Sequence, residues 1–253
     1  MCRLAFIDKR CKDVKFLTEL ITDLNESAGG DGIGVGWIEN GIPTVFKGVK
    51  ITPEEIASKI VSINSDYGIL LHVRRASVGA ITDINCHPFQ HKDELCMHNG
   101  HIDAIGILKL MMLENLEKYS GDGWTTENIM STPDSDIMAY FISKRGFNMA
   151  EMLTSGTVMV MNPSILKIWN GYQLQAIQRK GILIYASKFT DEVGMLADRW
   201  ITFEPGSELS ITSDGECSLI KGACYDAKLA WAENQKKNKK GKKGKYTVLD
   251  IVL

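Results

Sequence analysis

The chain begins with the eight residues MCRLAFID (residues 1–8). Four apolar residues follow a Cys and an Arg, and this apolar run is too short for the core of a signal peptide. Its length and composition are typical of a short buried β-strand, which we predict over residues 2–7. The apolar positions 14, 17, 20, 21 and 24 have helical spacing and predict a helix over residues 14–24. The N-terminus is therefore expected to be a structural, buried part of the fold.

A glycine-rich stretch, GGDGIGVGW, occupies residues 29–37. It lacks the lysine of a phosphate-binding loop and the βαβ context of a dinucleotide site, so we do not interpret it as a nucleotide site. We predict a strand whose glycines allow close backbone approach, then a hairpin turn at Asn40-Gly41 and a strand over residues 42–46. Thr52, Pro53 and Glu55 form the pattern of a capped helix start, which predicts a helix to about residue 63.

The rest of the chain is richer in strands than in helices. Two strands are predicted over residues 67–73 and 94–97, separated by a polar loop, and two helices over residues 102–119 and 134–143. Further strands are predicted over residues 158–161, 165–169, 173–178, 182–187, 200–203, 208–212 and 218–220. Asn170-Gly171 is the strongest hairpin signal, and Pro205-Gly206 is a second turn. The pattern indicates one sheet-rich domain of the α+β or layered α/β class.

Composition and charge narrow the class of protein. The chain has 253 residues, of which 44% are hydrophobic, enough for a packed core. Its net charge is −2, but seven lysines lie in residues 236–245, and without them the charge is −9. The negative charge of the rest of the chain excludes binding to double-stranded nucleic acid, except weakly through this Lys-rich segment. We interpret the segment as a linker. The six cysteines form no CxxC pair and no apolar run is long enough for a membrane span, so we expect a cytoplasmic protein with reduced thiols.

Cys2 is the first candidate for chemistry. Removal of Met1 would leave a thiol and a free α-amine on one residue, and the α-amine has a pKa suited to a general base. All five histidines lie within thirty residues, but their spacing matches no zinc class, so we predict no metal site. Arg74 could anchor a carboxylate or form an ordinary surface ion pair. Asn99-Gly100 could hold an oxyanion or be only a turn.

Seven segments occur in this order along the chain: MCRL (1–4), GIGVGW (32–37), HVRRASVG (72–79), NCHPF (85–89), HNGHI (98–102), DSD (134–136) and FEPG (203–206). Together they resemble the glutaminase domain of class II glutamine amidotransferases, which are N-terminal nucleophile hydrolases. The resemblance implies a four-layer αββα sandwich. It also implies an amidotransferase domain over residues 2–232, which we expect to be followed by a Lys-rich linker over 233–245 and a strand-like segment over 246–253.

The resemblance further implies the reacting groups. Cys2, freed of Met1, would attack the side-chain amide of L-glutamine with its own α-amine as the base. Asn99 and the backbone N–H of Gly100 would hold the oxyanion. Ammonia would leave a γ-glutamyl thioester that water hydrolyses, and the scheme implies no cofactor and no metal.

The substrate-binding groups are also implied by the resemblance. Arg74 would bind the α-carboxylate of glutamine and Asp134 its α-ammonium, while Ser77 would add a hydroxyl contact. Members that make amino sugars have an aromatic residue at the position of Arg75, and this chain also departs from them at Val78. These departures favour the short, stand-alone members of the family.

The partner of the reaction is left open by the sequence. No acceptor domain fits after about residue 225, so we expect ammonia to pass to a separate protein. One alternative is an amidase of the same fold that acts on a different amide. Another is a non-catalytic interaction module that uses the Lys-rich tail to bind an acidic partner. The sequence does not determine the oligomeric state.

Overall fold

The computed structural model describes residues 2–77, 79–102 and 132–230. The strands within these ranges are β1 (Arg3–Asp8), β2 (Gly32–Glu39), β3 (Ile42–Gly48), β4 (Gly68–Arg74), β5 (Phe89–His91), β6 (Glu94–Asn99), β7 (Thr157–Met161), β8 (Ile165–Asn170), β9 (Leu174–Arg179), β10 (Ile182–Ala186), β11 (Arg199–Phe203), β12 (Ser207–Thr212), β13 (Cys217–Lys221) and β14 (Cys224–Asp226). The α-helices that lie wholly within them are α1 (Val14–Ala28), α2 (Pro53–Ser62), α3 (Asp134–Arg145), α4 (Met149–Leu153) and α5 (Asp191–Leu196). A 3₁₀-helix spans Asp83–Asn85.

The strands form two antiparallel sheets. The first has eight strands in the order β14-β11-β9-β10-β1-β4-β2-β3, and the second has six in the order β13-β12-β8-β7-β6-β5. The predicted N-terminal strand is central to the first sheet, since β1 pairs with both β4 and β10. The N-terminus is therefore structural, as the sequence predicts.

The core has three apolar layers, which follow from the alternation of side chains along each strand. In β1, Ala5 and Ile7 pack against α1 and α2, whereas Leu4 and Phe6 face the second sheet. A third cluster lies between the second sheet and α3, which contributes Phe141. The order of layers is helix, sheet, sheet, helix. The predicted α+β class and four-layer αββα sandwich are confirmed.

Local signals at the helix starts agree with the structure. The Glu55 backbone N–H donates to Thr52 Oγ1 at 3.2 Å, and the Thr52 N–H donates to a Glu55 carboxylate oxygen at 2.7 Å. This is the predicted capping box, with Pro53 at the first helical position. The Asp13 carboxylate caps α1 in the same manner by accepting the Phe16 N–H at 3.0 Å.

The glycines of β2 allow the close backbone approach that the sequence predicts. A Cβ at Gly34 would lie 2.1 Å from the carbonyl oxygen of His87, and one at Gly36 would lie 2.7 Å from Pro88. The segment that carries His87 therefore passes directly over the glycine face of β2. This contact positions one wall of the cleft described below.

We expect Gly34→Ala to lower the free energy of unfolding by about 3 kcal/mol, since its methyl group meets backbone atoms that cannot rotate away. Gly41→Ala is the matched control, because Gly41 has open space around its Cα and a φ of 75°. It should lose only the roughly 1 kcal/mol of left-handed backbone strain. Urea unfolding of both variants measures the difference, and equal losses would contradict the packing argument.

The prediction that Asn170-Gly171 forms a hairpin is wrong. Asn170 ends β8 in the six-stranded sheet, and the next strand, β9, belongs to the eight-stranded sheet. The Asn170 side chain is completely buried, and its Nδ2 donates to the carbonyls of Phe203 and Glu204 at 3.1 and 2.9 Å. A Cβ at Gly171 would lie 2.5 Å from the Ser155 carbonyl oxygen. Asn170-Gly171 therefore lies where the chain passes from one sheet to the other. There the Asn170 amide satisfies two backbone carbonyls, and the lack of a Cβ at Gly171 allows close approach to the Ser155 carbonyl.

Other elements differ from the sequence predictions in smaller ways. A true hairpin joins β9 and β10 at Lys180-Gly181, where both residues have positive φ. The polar loop before β6 contains the 3₁₀-helix and β5, and Asn99 is the last residue of β6 and not part of a turn after it. The short elements α4, α5 and β14 are not predicted. The predicted helix over 102–119 lies outside the described residues except for residue 102, and the segments 233–245 and 246–253 lie outside them entirely.

Within the described part of the chain, no helix is long and apolar enough to span a membrane.

Candidate active site

A cleft of about 750 Å³ opens where the start of β1 and the ends of β4 and β6 meet the N-terminus of α3. Its walls include all six residues that the sequence singles out, namely Cys2, Arg74, Ser77, Asn99, Gly100 and Asp134. These residues come from four segments that lie far apart in the sequence. The fold therefore brings every candidate of the sequence analysis to one place.

Strand alternation explains why the candidates meet. Leu4 of β1, Leu70 of β4 and Met97 of β6 all face the space between the two sheets. Successive side chains of a strand point to opposite faces, so residues two or four positions away share that orientation. At the cleft, the residues that share it are Cys2, Arg74 and Asn99. The candidate nucleophile and the candidate oxyanion donor thus approach each other from opposite sheets.

The Cys2 thiol lies against the backbone at the end of β4. Its Sγ is 3.5 Å from the carbonyl oxygen of Arg75 and 3.4 Å from the backbone nitrogen of that residue. Burial raises the pKa of the Cys2 thiol, while the hydrogen bond from the Arg75 backbone and the positive charge of Arg74 oppose the rise. The resting thiol is therefore protonated at neutral pH, and its use as a nucleophile needs a base.

Arg74 and Arg75 have different environments. Arg74 is 6% exposed and lies in the cleft wall, whereas Arg75 is exposed. Asp31 holds the backbone of this segment, because its N–H donates to the Arg74 carbonyl at 3.0 Å and its carboxylate accepts the Ala76 N–H at 2.7 Å. The sequence left two interpretations of Arg74 open, a carboxylate-binding residue and a member of a surface ion pair. Its buried guanidinium and its anchored backbone favour the first.

Asn99 is the last residue of β6, and Gly100 follows it directly. Asn99 is buried, and its neighbour Gly100 packs directly on Gly156. A Cβ at Gly100 would lie 2.5 Å from the Gly156 Cα, so no larger residue fits without a backbone shift. The Asn-Gly pair is thus held by a tight contact between glycines.

Asp134 is the first residue of α3, and a histidine of β6 fixes its neighbour Ser135. The Asp134 carboxylate accepts the Ser135 N–H at 2.7 Å. His98 Nδ1 lies 3.4 Å from Ser135 Oγ, and its Nε2 lies 2.9 Å from Thr154 Oγ1. These contacts join the N-terminus of α3 to the strand that carries Asn99, so the acid keeps a defined position relative to the Asn-Gly pair.

Two solved structures share this arrangement of sheets and helices. A glutamine phosphoribosylpyrophosphate (PRPP) amidotransferase from B. subtilis matches with a TM-score of 0.60 and 16% identity, over 88% of this chain and 50% of its own. The allosteric regulatory enzyme of purine biosynthesis matches with a TM-score of 0.62 and 18% identity, over 87% of this chain and 49% of its own. The protein has the fold of a class II glutamine amidotransferase domain. The resemblance stated from the sequence is confirmed at the level of the fold.

The sequence of one curated protein is also similar to part of this chain. The probable glutamine amidotransferase DUG3 of Saccharomyces cerevisiae is 30% identical over 113 residues, which are 40% of this chain and 30% of the yeast protein. No protein-family model matches the chain. The chain spans about half the length of the two solved enzymes.

Three histidines are buried on the inner side of the cleft in this amidotransferase fold. Burial lowers the pKa of His72 to about 3 and that of His98 to about 4, and it lowers the pKa of His87 well below the usual value. The Nε2–H of His72 donates to the His98 carbonyl at 3.2 Å, which links the two sheets. The described residues contain no group of three or more His, Cys, Asp or Glu side chains that could hold a metal ion. Because burial disfavours the charged form, the three imidazoles are neutral near pH 7.

Two residues that shape the cleft were not identified from the sequence. Thr154 Oγ1 donates to the His101 carbonyl at 2.8 Å and accepts the Gly156 N–H at 2.9 Å. Asp31 holds the segment of Arg74, as described above. The contact of Asp31 with Ala76 and that of Thr154 with His101 join residues far apart in the sequence, so no local pattern reveals them.

Proposed function

We propose that the protein hydrolyses the side-chain amide of L-glutamine, with Cys2 as the nucleophile. The observation that carries the proposal is the convergence of a thiol, a buried arginine, an acid and an Asn-Gly pair in one cleft. The fold supports it, because a solved structure of the same fold is a glutamine PRPP amidotransferase.

The proposed reaction begins after removal of Met1. The free α-amine of Cys2 accepts the thiol proton, and Sγ attacks the side-chain carbonyl carbon of glutamine. The amide of Asn99 and the N–H of Gly100 donate to the oxyanion. The α-ammonium then gives its proton to the leaving nitrogen, the C–N bond breaks, and a γ-glutamyl thioester remains for water to hydrolyse. No step requires a metal or an organic cofactor.

Three further residues would bind the amino-acid end of the substrate. The guanidinium of Arg74 would accommodate the α-carboxylate with paired, charge-assisted hydrogen bonds. The carboxylate of Asp134 would bind the α-ammonium, and Ser77 would donate a hydrogen bond from its hydroxyl. Glutamine is a zwitterion, so a cation and an anion at one end of the cleft select it over simple amides.

We assign this activity to a domain over residues 2–232, followed by the Lys-rich linker over 233–245 and the terminal segment over 246–253. We further propose that ammonia passes to an acceptor on a separate protein. Without that acceptor, the isolated chain is expected to release glutamate and ammonia in equal amounts, which an enzymatic assay of both products measures.

The experiment that tests the proposed function is intact-mass analysis after incubation with diazo-oxo-norleucine, an electrophile that mimics glutamine. We expect loss of Met1 and one adduct, located at Cys2 by fragmentation and prevented by excess glutamine. Labelling without hydrolysis of glutamine would favour an amidase acting on another amide. Retained Met1 with no adduct would favour the non-catalytic interaction module.

We expect Arg74→Ala to raise the KM for glutamine about tenfold to a hundredfold, because a buried, charge-assisted contact with the α-carboxylate is lost. The kcat should change much less, since the arginine contacts an end of the substrate that does not react. Arg179→Ala is the matched control, because Arg179 lies outside the cleft with its guanidinium over the ring of Phe16. Steady-state kinetics of both variants check this, and an unchanged KM in Arg74→Ala would remove its assigned role.

A further inference from the structure

Asp134 and Ser135 place two side-chain oxygens next to each other in the cleft wall. Both residues line the cleft, and Ser135 Oγ lies 3.4 Å from Asp134 Oδ1. The Ser135 backbone N–H donates to the same carboxylate oxygen at 2.7 Å, which holds the acid beside the hydroxyl. Two oxygens at this separation can both lie about 2.9 Å from one ammonium nitrogen. The pair therefore has the spacing to bind a single ammonium group.

The direction of the Ser135 hydroxyl proton decides whether its oxygen can accept from an ammonium. A serine hydroxyl has one proton and two lone pairs. A proton directed at the Asp134 carboxylate would lie between the two oxygens and repel a cation bound to both. Ser135 therefore needs a second acceptor for its proton, on the side away from Asp134.

His98 supplies this acceptor, and Thr154 determines which ring nitrogen it is. Thr154 Oγ1 donates its one proton to the His101 carbonyl at 2.8 Å. In its 2.9 Å contact with His98 Nε2, the threonine oxygen must then accept, so Nε2 carries a proton. Burial lowers the pKa of His98 to about 4, so the ring is neutral and Nδ1 has a free lone pair. Nδ1 lies within hydrogen-bond distance of Ser135 Oγ, at 3.4 Å.

We propose that Ser135 is a second ligand of the substrate α-ammonium, beside Asp134, and that His98 is a positioning residue that accepts the Ser135 proton. The inference deepens the proposed function and rests on it. The hydroxyl proton points to His98 Nδ1, and the Ser135 oxygen accepts one N–H of the ammonium while the Asp134 carboxylate accepts another. The neutral imidazole adds no positive charge that would oppose the ammonium.

The subsite selects substrates that have a free α-amino group. Ser135 is 8% exposed, so water competes little for its hydroxyl oxygen. An amide without an α-ammonium leaves this oxygen and the Asp134 carboxylate without their donor. Discrimination against such an analogue is large where the polar groups of the site are then unpaired.

The test compares Ser135→Ala with Ser135→Thr, which keeps the hydroxyl. We expect Ser135→Ala to raise the KM for glutamine about tenfold and to change kcat less than about twofold, since the ammonium lies at the end of the substrate that does not react. Ser135→Thr should recover most of the affinity. Ser143→Ala is the matched control, because Ser143 lies in the same helix outside the cleft wall and donates to the Tyr140 carbonyl at 2.9 Å.

An analogue separates the ammonium contact from a general loss of structure. The compound is 4-carbamoylbutanoate, which is glutamine without its α-amino group, measured as a competitive inhibitor of glutamine hydrolysis. Its Ki should be the same in the wild type and in Ser135→Ala, because it has no ammonium for Ser135 to contact. Where it inhibits neither form, the KM and kcat of Ser135→Ala decide, and a loss confined to kcat overturns the subsite.

A double-mutant cycle tests the role of His98. His98→Gln keeps a donor toward Thr154 but lacks the Nδ1 acceptor, so the KM for glutamine should rise about as much as in Ser135→Ala. Combining the two changes should raise the KM no further than the larger single change, because His98 acts through Ser135. Thermal unfolding checks that each variant folds, and His98→Phe serves in the same cycle if His98→Gln does not.

The outcomes distinguish the subsite from the proposed function. An unchanged KM in Ser135→Ala, or a Ki of the analogue that rises together with the KM, overturns the subsite, and additive changes in the cycle overturn the role of His98. A wild-type chain that hydrolyses no glutamine and takes no label at Cys2 overturns the proposed function and the subsite together. An active wild type with a selective rise of the KM in Ser135→Ala supports both.

Discussion

Replacement of Cys2 by Ala should abolish the release of glutamate from glutamine, with kcat falling by about 10⁴-fold or more. The thiol supplies the electron pair that forms the thioester, and no other group in the described cleft wall is a thiol. Binding should survive, since the arginine and the acid that hold the zwitterion are untouched. A sensitive glutamate assay measures the loss, and isothermal titration with glutamine measures the binding that remains.

Cys11 offers a matched control for the nucleophile. Cys2 and Cys11 flank the two ends of β1, but Cys11 is buried outside the cleft, and burial raises the pKa of its thiol to about 11. Cys11→Ala should keep its activity and its labelling by diazo-oxo-norleucine. Glutamine turnover by Cys2→Ala at the wild-type rate would refute the N-terminal nucleophile.

Replacement of Asn99 by Ala should lower kcat about 10²- to 10³-fold with little change in KM. Asn99 is buried at the end of β6 and faces the same gap as Cys2 from the opposite sheet. Its amide would donate to an oxygen whose negative charge develops only as the thiol attacks. The loss should therefore appear in the chemical step, which steady-state kinetics over a range of glutamine concentrations separates from binding.

Asn99→Asp is the sharper companion variant. It keeps the shape of the side chain but replaces the donor by a carboxylate, whose charge opposes the oxyanion. We expect a loss larger than that of Asn99→Ala, with thermal unfolding of both variants as the check on folding. A kcat equal to that of the wild type in Asn99→Ala would assign the oxyanion to other donors.

Local structure follows from local sequence in many parts of this chain. The capping box at Thr52, the hairpin at Asn40-Gly41 and the helix that begins at Val14 all rest on residues that contact one another within a few positions. Helix caps and tight turns with positive φ involve only a few consecutive residues, so the local sequence pattern is sufficient to predict them. Asn170-Gly171 shows where this reasoning ends, since the partners of Asn170 are carbonyls about thirty residues away.

The candidate site divides in the same manner. Its principal residues could be named from ordered motifs, whereas their supports could not. The roles of Asp31 and Thr154 depend on contacts with groups far away in the sequence. The burial of His87 likewise depends on the segments that pack around it. A single sequence contains no local trace of such contacts.

The sequence by itself determined the sheet-rich class, most strands, the early helices and a set of residues whose chemistry suits an amide. Tertiary structure alone decided that Cys2, Arg74 and Asn99 face one gap and that β8 and β9 lie in different sheets. It also decided that the ring nitrogens of His87 are buried without a hydrogen-bond partner among the described residues. The physical reason is the range of the interactions. Propensity, capping and alternation act over a few residues, while the packing of two sheets and the burial of polar atoms depend on groups far apart along the chain.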